Sequence, residues 1–206
     1  MRKQIKQIQL LVGFSILPIS LALSAAQLTS DQVDVIGVTP LESTGTSINQ
    51  VPSNVQILKS DQIKQQKPSN MADLLNDNLG NISVSNGVGN PYQNDVNFRG
   101  FQATSLLGAP VGLSIYFDGV RFNEPFGDIV NWDLVPMNAI SGINLMPGSN
   151  PLFGLNTLGG SLAINTKNGT DYPGVSASLL GGSWGRRAFE FEGGGTNRER
   201  NLDYFV

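Results

Sequence analysis

Glycine-containing turns divide the chain between Asn97 and Lys167 into short apolar runs. This spacing of turns constrains the fold more than any other feature of the sequence. Three blocks show this pattern: Asn97-Phe98-Arg99-Gly100-Phe101, Tyr116-Phe117-Asp118-Gly119-Val120, and the segment from Pro151 to Lys167. The chain has 24 glycines in 206 residues, and only 14% of its residues are charged, against ~25% in an average soluble protein. Such a sequence predicts strands joined by turns rather than a bundle of helices.

Two missing residue types narrow the possible functions. The chain has no Cys, which excludes disulfides, thiol nucleophiles and Cys-based zinc sites. It also has no His, the usual general base and the commonest metal ligand. The glycines do not form a phosphate-binding loop, because no Gly-x-x-x-x-Gly-Lys-Ser/Thr pattern follows a strand. We therefore expect no enzyme, no catalytic or metal-binding residue and no cofactor.

Residues 1–26 have the pattern of an export signal. Basic residues at positions 2, 3 and 6 precede a mostly apolar stretch from Ile8 to Leu23, and the small residues at 24–26 suit cleavage. A membrane-spanning anchor is the alternative, although the stretch is short for a span of ~20 residues and contains Pro18. Cleavage removes three basic residues and changes the net charge from −3 to −6. No basic cluster remains, so we expect no nucleic-acid partner.

Residues 27–46 form a polar lead with one β-prone run, Val33-Asp34-Val35-Ile36-Gly37-Val38-Thr39, which Pro40 ends. Such a run can add as an extra strand to the sheet edge of another protein through backbone hydrogen bonds. Many disordered tails also contain one apolar patch, so the run alone indicates a partner only weakly.

Residues 47–167 predict a small α/β unit. Ser60 is placed to cap a short helix that ends near Gln66, and Pro68-Ser69 to begin a second helix that Gly80 ends. Asp118-Gly119 predicts a two-residue hairpin turn. Strands are expected at 54–58, 82–84, 96–98, 113–117, 120–122, 140–145 and 162–167. The expected core lies on these elements: Val55, Ile57, Leu74, Leu75, Phe98, Ile115, Phe117, Ile143, Leu162 and Ile164.

After Lys167 the pattern changes to strict alternation. Residues 175–179 and 188–192 alternate apolar and polar side chains on either side of a glycine-containing turn, and residues 203–206 can begin a third run. Alternating segments joined by short turns are typical of transmembrane barrel strands. Trp184 lies near the turn, where an aromatic belt residue is expected.

In this order, the segments resemble the TonB-dependent outer-membrane receptors, in which a globular plug sits inside a large β-barrel and gates nutrient uptake. The similar segments are the first plug strand at 51–58, a helix-to-strand passage at 71–82, the arginine–glycine block at 97–101, the hairpin at 117–120 and the final plug block at 153–167. The resemblance implies a signal peptide (1–26), a flexible periplasmic segment (27–46), a plug domain (47–167) and the truncated start of a barrel (168–206). The implied fold class is an α/β plug domain, with a small mixed sheet, short helices and long loops, followed by the first two or three antiparallel strands of an incomplete transmembrane β-barrel.

The resemblance also implies partners and contact residues. The run from Val33 to Thr39 is similar to the TonB box, which a TonB-type periplasmic coupling protein pulls. Arg99 matches a plug arginine that pairs with barrel carboxylates. A second such arginine has no counterpart, because Asn144 and Pro147 replace the family's usual acidic and basic residues. A small-molecule ligand such as a metal chelate would meet the plug loops, and the side chains expected to face it are Asn90, Tyr92, Gln102, Asn123 and Phe126.

The implied function is the gate of a cell-outer-membrane receptor for energy-coupled uptake of an iron chelate, such as a siderophore, or a similar scarce nutrient. Because 206 residues are too few for a barrel, we expect a fragment, a truncated gene product or one part of a split receptor, inactive alone. A free periplasmic module that binds ligand or the coupling protein without a pore is the alternative. We expect residues 47–167 to fold alone, marginally, and residues 174–206 to be disordered or to aggregate in water without partners.

Overall fold

A computed structural model describes residues 35–36, 45–68, 70–87, 89–90, 93–105 and 108–206, all within one compact unit, Val33–Val206. The predicted signal peptide and most of the predicted periplasmic segment lie outside the described residues. None of the helices in this part of the chain is long and apolar enough to cross a membrane.

Strands dominate the described fold. They are β1 (Val35–Ile36), β2 (Thr46–Ser47), β3 (Gln56–Lys59), β4 (Ile82–Ser85), β5 (Asp95–Phe98), β6 (Phe101–Gln102), β7 (Leu113–Phe117), β8 (Val120–Arg121), β9 (Ile140–Pro147), β10 (Gly160–Thr166), β11 (Gly174–Gly181), β12 (Arg187–Asn197) and β13 (Leu202–Phe205). The α-helices are α1 (Ser60–Gln66) and α2 (Met71–Asn78), and single 3₁₀ turns occur at Ile48–Gln50, Trp132–Leu134, Met137–Ala139, Pro151–Phe153 and Ser183–Gly185. We call residues 47–167 the body and strands β11–β13 the C-terminal sheet.

A five-stranded central sheet in the order β3-β9-β10-β7-β8 organises the body. Strand β10 runs parallel to β7 and antiparallel to β9, so the predicted mixed sheet is confirmed. Leu162 on β10 lies between Ile115 on β7 and Leu145 on β9, and all three side chains are fully buried. Eight of the ten predicted core residues are buried, while Ile57 and Phe117 are partly buried.

The two helices pack on this core with capping that differs from the prediction. Ser60 is the first residue of α1 rather than its cap, and Gln62 Oε1 accepts a hydrogen bond from the Lys59 N–H at 3.0 Å. Helix α2 begins two residues later than expected, because Asn70 Oδ1 accepts from the third N–H of the helix at 2.8 Å. Gly80 is not its left-handed end residue; Asn81 adopts that conformation instead, with φ 61°. The predicted apolar face of α2 is buried: Met71, Leu74, Leu75 and Leu79.

Two tight hairpin turns have the geometry that their sequences require. Asp118 and Gly119 join β7 to β8 with φ 46° and 79°, and Arg99 and Gly100 join β5 to β6 with φ 53° and 89°. Two successive positive φ angles define the type I′ turn that matches strand twist. The predicted Asp118-Gly119 hairpin is confirmed, and the second turn lies in a separate sheet of order β4-β5-β6.

The C-terminal sheet has two chemically different faces. The register pairs Ser176 with Glu192 and Ser178 with Glu190 on one face, which is polar. The opposite face is apolar and exposed: Val175, Leu179, Phe189, Phe191, Leu202, Tyr204 and Val206. The predicted alternation of apolar and polar side chains is therefore confirmed. It produces a sheet that is polar toward the body and apolar away from it.

Candidate functional site

The two ends of the central sheet differ in their chemistry. At one end β10 stops at Thr166 beside the Asp118–Gly119 turn, and the chain continues into the C-terminal sheet. At the other end β10 starts at Gly160 beside Leu113. We call these the junction end and the loop end. Seven residues of β10 separate them by about 20 Å.

Asp118 fixes its hairpin turn to β10 at the junction end. Its Oδ1 accepts from the Thr166 N–H at 2.7 Å, and its Oδ2 accepts from the Thr166 hydroxyl at 2.8 Å. The Asp118 N–H donates to the carbonyl of Ile164 at 2.9 Å. These contacts are internal to the body, so Asp118 serves the turn rather than a ligand.

Lys167 is a buried charge at the junction end. Its side chain is 1% exposed, and its Nζ lies 3.1 Å from Oε1 of Glu192 on β12. The Nζ also donates to the carbonyl of Asn138 at 2.5 Å and lies 5.3 Å from the ring centre of Phe205 on β13. The other oxygen of Glu192 is 3.3 Å from Nζ of Lys64 on α1. One carboxylate thus joins the end of β10, helix α1 and the C-terminal sheet.

The environment of Lys167 explains why its charge needs Glu192 as a partner. Burial lowers the pKa of Lys167 below its usual 10.5, while the hydrogen bond and charge of Glu192 act in the opposite direction. A buried charge is retained at tolerable cost only when it is paired. A cavity of about 190 Å³ lies beside the pair, lined in part by Ser176 and Ser178 of β11. The polar face of the C-terminal sheet is therefore turned toward the body.

A different polar cluster holds two loops together at the loop end. Arg121 donates through Nη1 to the carbonyl of Leu155 at 2.9 Å and through Nη2 to Oδ1 of Asp128 at 3.0 Å. Asn156 donates to the other oxygen of Asp128 at 2.7 Å. These bonds join loop 122–129 to loop 148–159. Between them the two loops expose large apolar side chains, among them Phe126.

Glycines at the start of β7 and β10 make room for one aromatic ring. A Cβ atom on Gly112 would lie 2.4 Å from Phe101 Cδ1, and one on Gly159 would lie 2.8 Å from Phe101 Cβ. Real Cβ atoms do not approach this closely. Gly112 and Gly159 are therefore required by packing against Phe101.

Arg99 occupies an exposed hairpin turn with a constrained backbone. A non-glycine residue with φ 53° is uncommon, and the turn is supported by Asn97 Oδ1, which accepts from the Gly100 N–H at 2.9 Å. The guanidinium carbon lies 5.1 Å from the ring centre of Phe98. Among the described residues it forms no ion pair with a carboxylate of the C-terminal sheet, so its contact with a barrel wall stays a prediction.

The residues predicted to face a ligand fall into different environments. Asn90 and Phe126 are exposed on loops, and Tyr92 lies outside the described residues. Gln102 and Asn123 are buried, and the contact of all five residues with a ligand stays a prediction. Asn123 Oδ1 accepts from the Ile115 N–H at 2.7 Å, and its Nδ2 donates to the Ala103 carbonyl at 3.0 Å. Asn123 closes the end of β7, where strand β8 has stopped, and its buried amide is bonded within the body.

Only part of the predicted coupling segment is described. Val35 and Ile36 form β1, which pairs antiparallel with Ser47 and Thr46. Val33, Asp34, Gly37, Val38 and Thr39 lie outside the described residues. The segment therefore contains a strand-forming centre next to the body.

Sequence reasoning missed the Lys167–Glu192 pair and the Arg121–Asp128 cluster. Glu192 was visible only as one polar position in an alternating strand, and Lys167 only as the end of the final body block. A lone lysine beside a run of apolar residues is the signal that was available. Its partner lies 25 residues away, so spacing could not identify it.

Solved receptor structures have folds similar to this chain. The pyoverdine outer membrane receptor FpvA from Pseudomonas aeruginosa has a TM-score of 0.58 and 18% identity, covering 76% of this chain and 21% of that one. The siderophore receptor PiuA from Acinetobacter baumannii has a TM-score of 0.56 and 22% identity, covering 72% and 19%. The ferric-catecholate import receptor Fiu from E. coli has a TM-score of 0.56 and 18% identity, covering 78% and 21%. At these identities the likeness shows the fold alone, and the chain spans about a fifth of each receptor's length.

A family comparison gives the assignment. No curated protein matches the chain by sequence. Residues 47–161 match the TonB-dependent Receptor Plug Domain, which is more than half of the chain. The predicted fold class is confirmed, since a mixed sheet with two helices is followed by antiparallel strands. The chain belongs to the TonB-dependent receptor plug domain family.

Proposed function

We propose that this chain supplies the gate of an outer-membrane receptor that takes up an iron chelate or a similar scarce nutrient, with energy delivered by a TonB-type periplasmic protein. The observation that carries the proposal is the C-terminal sheet. It begins at Gly174, seven residues after the body ends, and turns a polar face to the body and an apolar face outward. That arrangement suits strands of a barrel wall, with lipid on one side and a plug on the other.

The rest of the receptor is part of the proposal. Three strands leave open edges that lipid cannot satisfy, so further strands are needed to complete a wall. The export signal at 1–26 and the cell-outer-membrane location belong to the same proposal and are supported by the sequence pattern.

The coupling segment gives the direct test. Strand addition depends on backbone hydrogen bonds, which proline removes and alanine keeps. We expect the periplasmic domain of a TonB-type protein to bind the chain, and Ile36→Pro or Val35→Pro to abolish binding. Isothermal titration calorimetry measures this affinity. Ile36→Ala, the matched control, should retain most of it. In a receptor that contains this chain, either proline variant should stop energised uptake and leave surface binding of ligand intact. Equal binding by the proline and alanine variants would contradict the assignment.

A free periplasmic module is the second candidate, because the body has its own core and the predicted coupling segment precedes it in the chain. Membrane fractionation distinguishes the gate of a receptor from a free module. A gate with wall strands should be recovered with the outer membrane when the remaining strands are present. A free module should remain in the periplasmic extract, with the apolar face of β11–β13 covered by a soluble partner.

A further inference from the structure

The apolar face of the C-terminal sheet carries one charged side chain, Arg187. The register pairs Arg187 with Gly181 and Phe189 with Leu179, so the exposed Arg187 shares this face with the apolar side chains of β11–β13. Among the paired positions of the three strands, every carboxylate lies on the opposite face, toward the body. The charge of Arg187 is therefore presented to a partner outside the chain.

Arg187 lies at the end of the apolar face and not in its middle. It is the first residue of β12, which runs to Asn197 over 11 residues. At about 3.3 Å per residue and a tilt of about 40°, this strand spans roughly 25 Å along the membrane normal, the height of the apolar band in outer-membrane barrels. An arginine facing lipid is far less costly at the edge of that band than at its centre. Arg187 therefore has the position of a residue at headgroup level.

The hairpin that precedes β12 exposes an aromatic ring beside this edge. Trp184 is 104% exposed, and its φ of 62° is uncommon for a bulky residue. The turn is hydrogen-bonded, since the Gly182 N–H donates to the Arg186 carbonyl at 2.9 Å and the Arg186 N–H donates to the Ser183 carbonyl at 3.2 Å. Tryptophan is enriched at membrane interfaces because its ring is apolar and its N–H is polar. The hairpin thus presents an indole in a defined turn next to Arg187.

The hairpin is also the more positive of the two turns of the C-terminal sheet. Residues 181–188 contain Arg186 and Arg187 and no Asp or Glu, whereas the turn at 198–201 has one acidic residue between its two arginines. The nearest carboxylate along β12, that of Glu190, lies on the face toward the body. An anion that binds Arg187 therefore meets no like charge on the same face.

We propose that the hairpin 182–187 is a lipid-contact site, in which Arg187 binds the headgroup phosphate of an anionic lipid and Trp184 lies among the headgroups. This inference rests on the proposed wall function of β11–β13 and adds the lipid chemistry that the wall recognises. The occupant is a lipid because the apolar face ends at Arg187 after about one membrane thickness, and because a guanidinium group binds phosphate oxygens in bidentate geometry.

Vesicle binding by the 206-residue chain tests the proposal. Without further strands the chain can lie on a vesicle with its apolar face down, while its open strand edges stay in contact with water. The chain is diluted from mild detergent into vesicles of phosphatidylcholine, alone or with about 30% phosphatidylglycerol, and tryptophan emission is recorded. Trp132 is 3% exposed and Trp184 104%, so a blue shift on binding reports Trp184. Trp184→Phe should remove the shift.

We expect the chain to bind the anionic vesicles more tightly than the neutral ones. Arg187→Gln should reduce this preference roughly fivefold, the effect of one arginine near an anionic surface, and Arg187→Lys should keep most of it. Lys67→Gln is the matched control, because Lys67 is an exposed cation at the end of α1 in the body. It should change the preference by less than about twofold. Inorganic phosphate should compete no better than chloride at the same ionic strength, because the free anion makes no apolar contact.

Equal binding to the two kinds of vesicle, or an equal loss in Arg187→Gln and Lys67→Gln, would overturn the lipid site and leave the wall proposal standing. Displacement by inorganic phosphate beyond the matched chloride effect would show a site for free anions instead. A blue-shifted Trp184 emission that depends on protein concentration before vesicles are added would mean that a second copy covers the hairpin.

Failure of the proposed function gives a different result. No binding to either kind of vesicle would remove the wall together with the lipid site. The coupling function is tested separately by binding of the TonB-type protein to residues 33–39, which involves no lipid. Loss of that binding with the lipid preference intact would remove the gate proposal alone.

Discussion

Replacing Glu192 with Gln should loosen the C-terminal sheet from the body much more than the same change at Glu190. The substitution keeps the side-chain shape and removes the only negative charge that contacts Lys167 among the described residues. Breaking a buried ion pair by removing one partner costs about 3–5 kcal/mol. Glu192 is 15% exposed and Lys167 keeps the Asn138 carbonyl, so water and that carbonyl recover part of the loss. We expect about 2–3 kcal/mol to remain.

Amide hydrogen exchange measured by mass spectrometry reports this loss where it occurs. Exchange through local opening follows the free energy of detaching β11–β13 from the body. A loss of 2–3 kcal/mol corresponds to roughly 30- to 150-fold faster exchange in these strands. Peptides from the central sheet, which keeps its own core, should change much less.

Glu190 is a close control, because it lies on the same face of β12 and accepts a hydrogen bond from Ser178 at 2.9 Å without contacting a buried cation. Glu190→Gln should change exchange by less than about threefold, as expected for an exposed polar position. Equal acceleration in the two variants would show that Lys167 does not depend on Glu192, and would refute the reasoning.

Three other changes test the body. Gly159→Ala should destabilise it by about 1–3 kcal/mol in urea unfolding, because the added Cβ overlaps Phe101, and Phe101→Leu should recover part of that loss. Asn123→Leu should cost about 2–3 kcal/mol, since it leaves the Ile115 N–H without its partner; a near-neutral result would mean that water replaces the amide. Burial raises the pKa of Asp95 above its usual 3.8, so the folded state binds this proton more tightly than the unfolded chain does. Stability of the native chain relative to Asp95→Asn should therefore rise as pH falls from 7 toward 4, and a difference independent of pH would contradict this.

The sequence predicted what depends on local geometry. The apolar face of α2 follows from helical spacing, and the two faces of β11 and β12 follow from the two-residue period of a strand. The Asp118-Gly119 turn follows from residues that tolerate positive φ. Helix starts were predicted less accurately. Helix α1 includes Ser60, which was expected to cap it, and α2 is capped by Asn70 rather than starting at Pro68-Ser69, differences of the one or two residues by which helix ends vary.

The tertiary structure alone decided which polar residues are buried and what they contact. Asn123 was predicted to lie on a ligand-facing loop, yet the path of the chain after β8 returns it beneath β7, where Ile115 and Ala103 need a hydrogen-bonding partner. Lys167 and Glu192 meet because β10 ends where β12 crosses the body, a relation between strands that no local pattern encodes. Local periodicity determines which side of an element is apolar. The identity of the partner across a fold depends on long-range pairing, and for this chain that pairing sets both the buried charge at the junction end and the exposed apolar patch at the loop end.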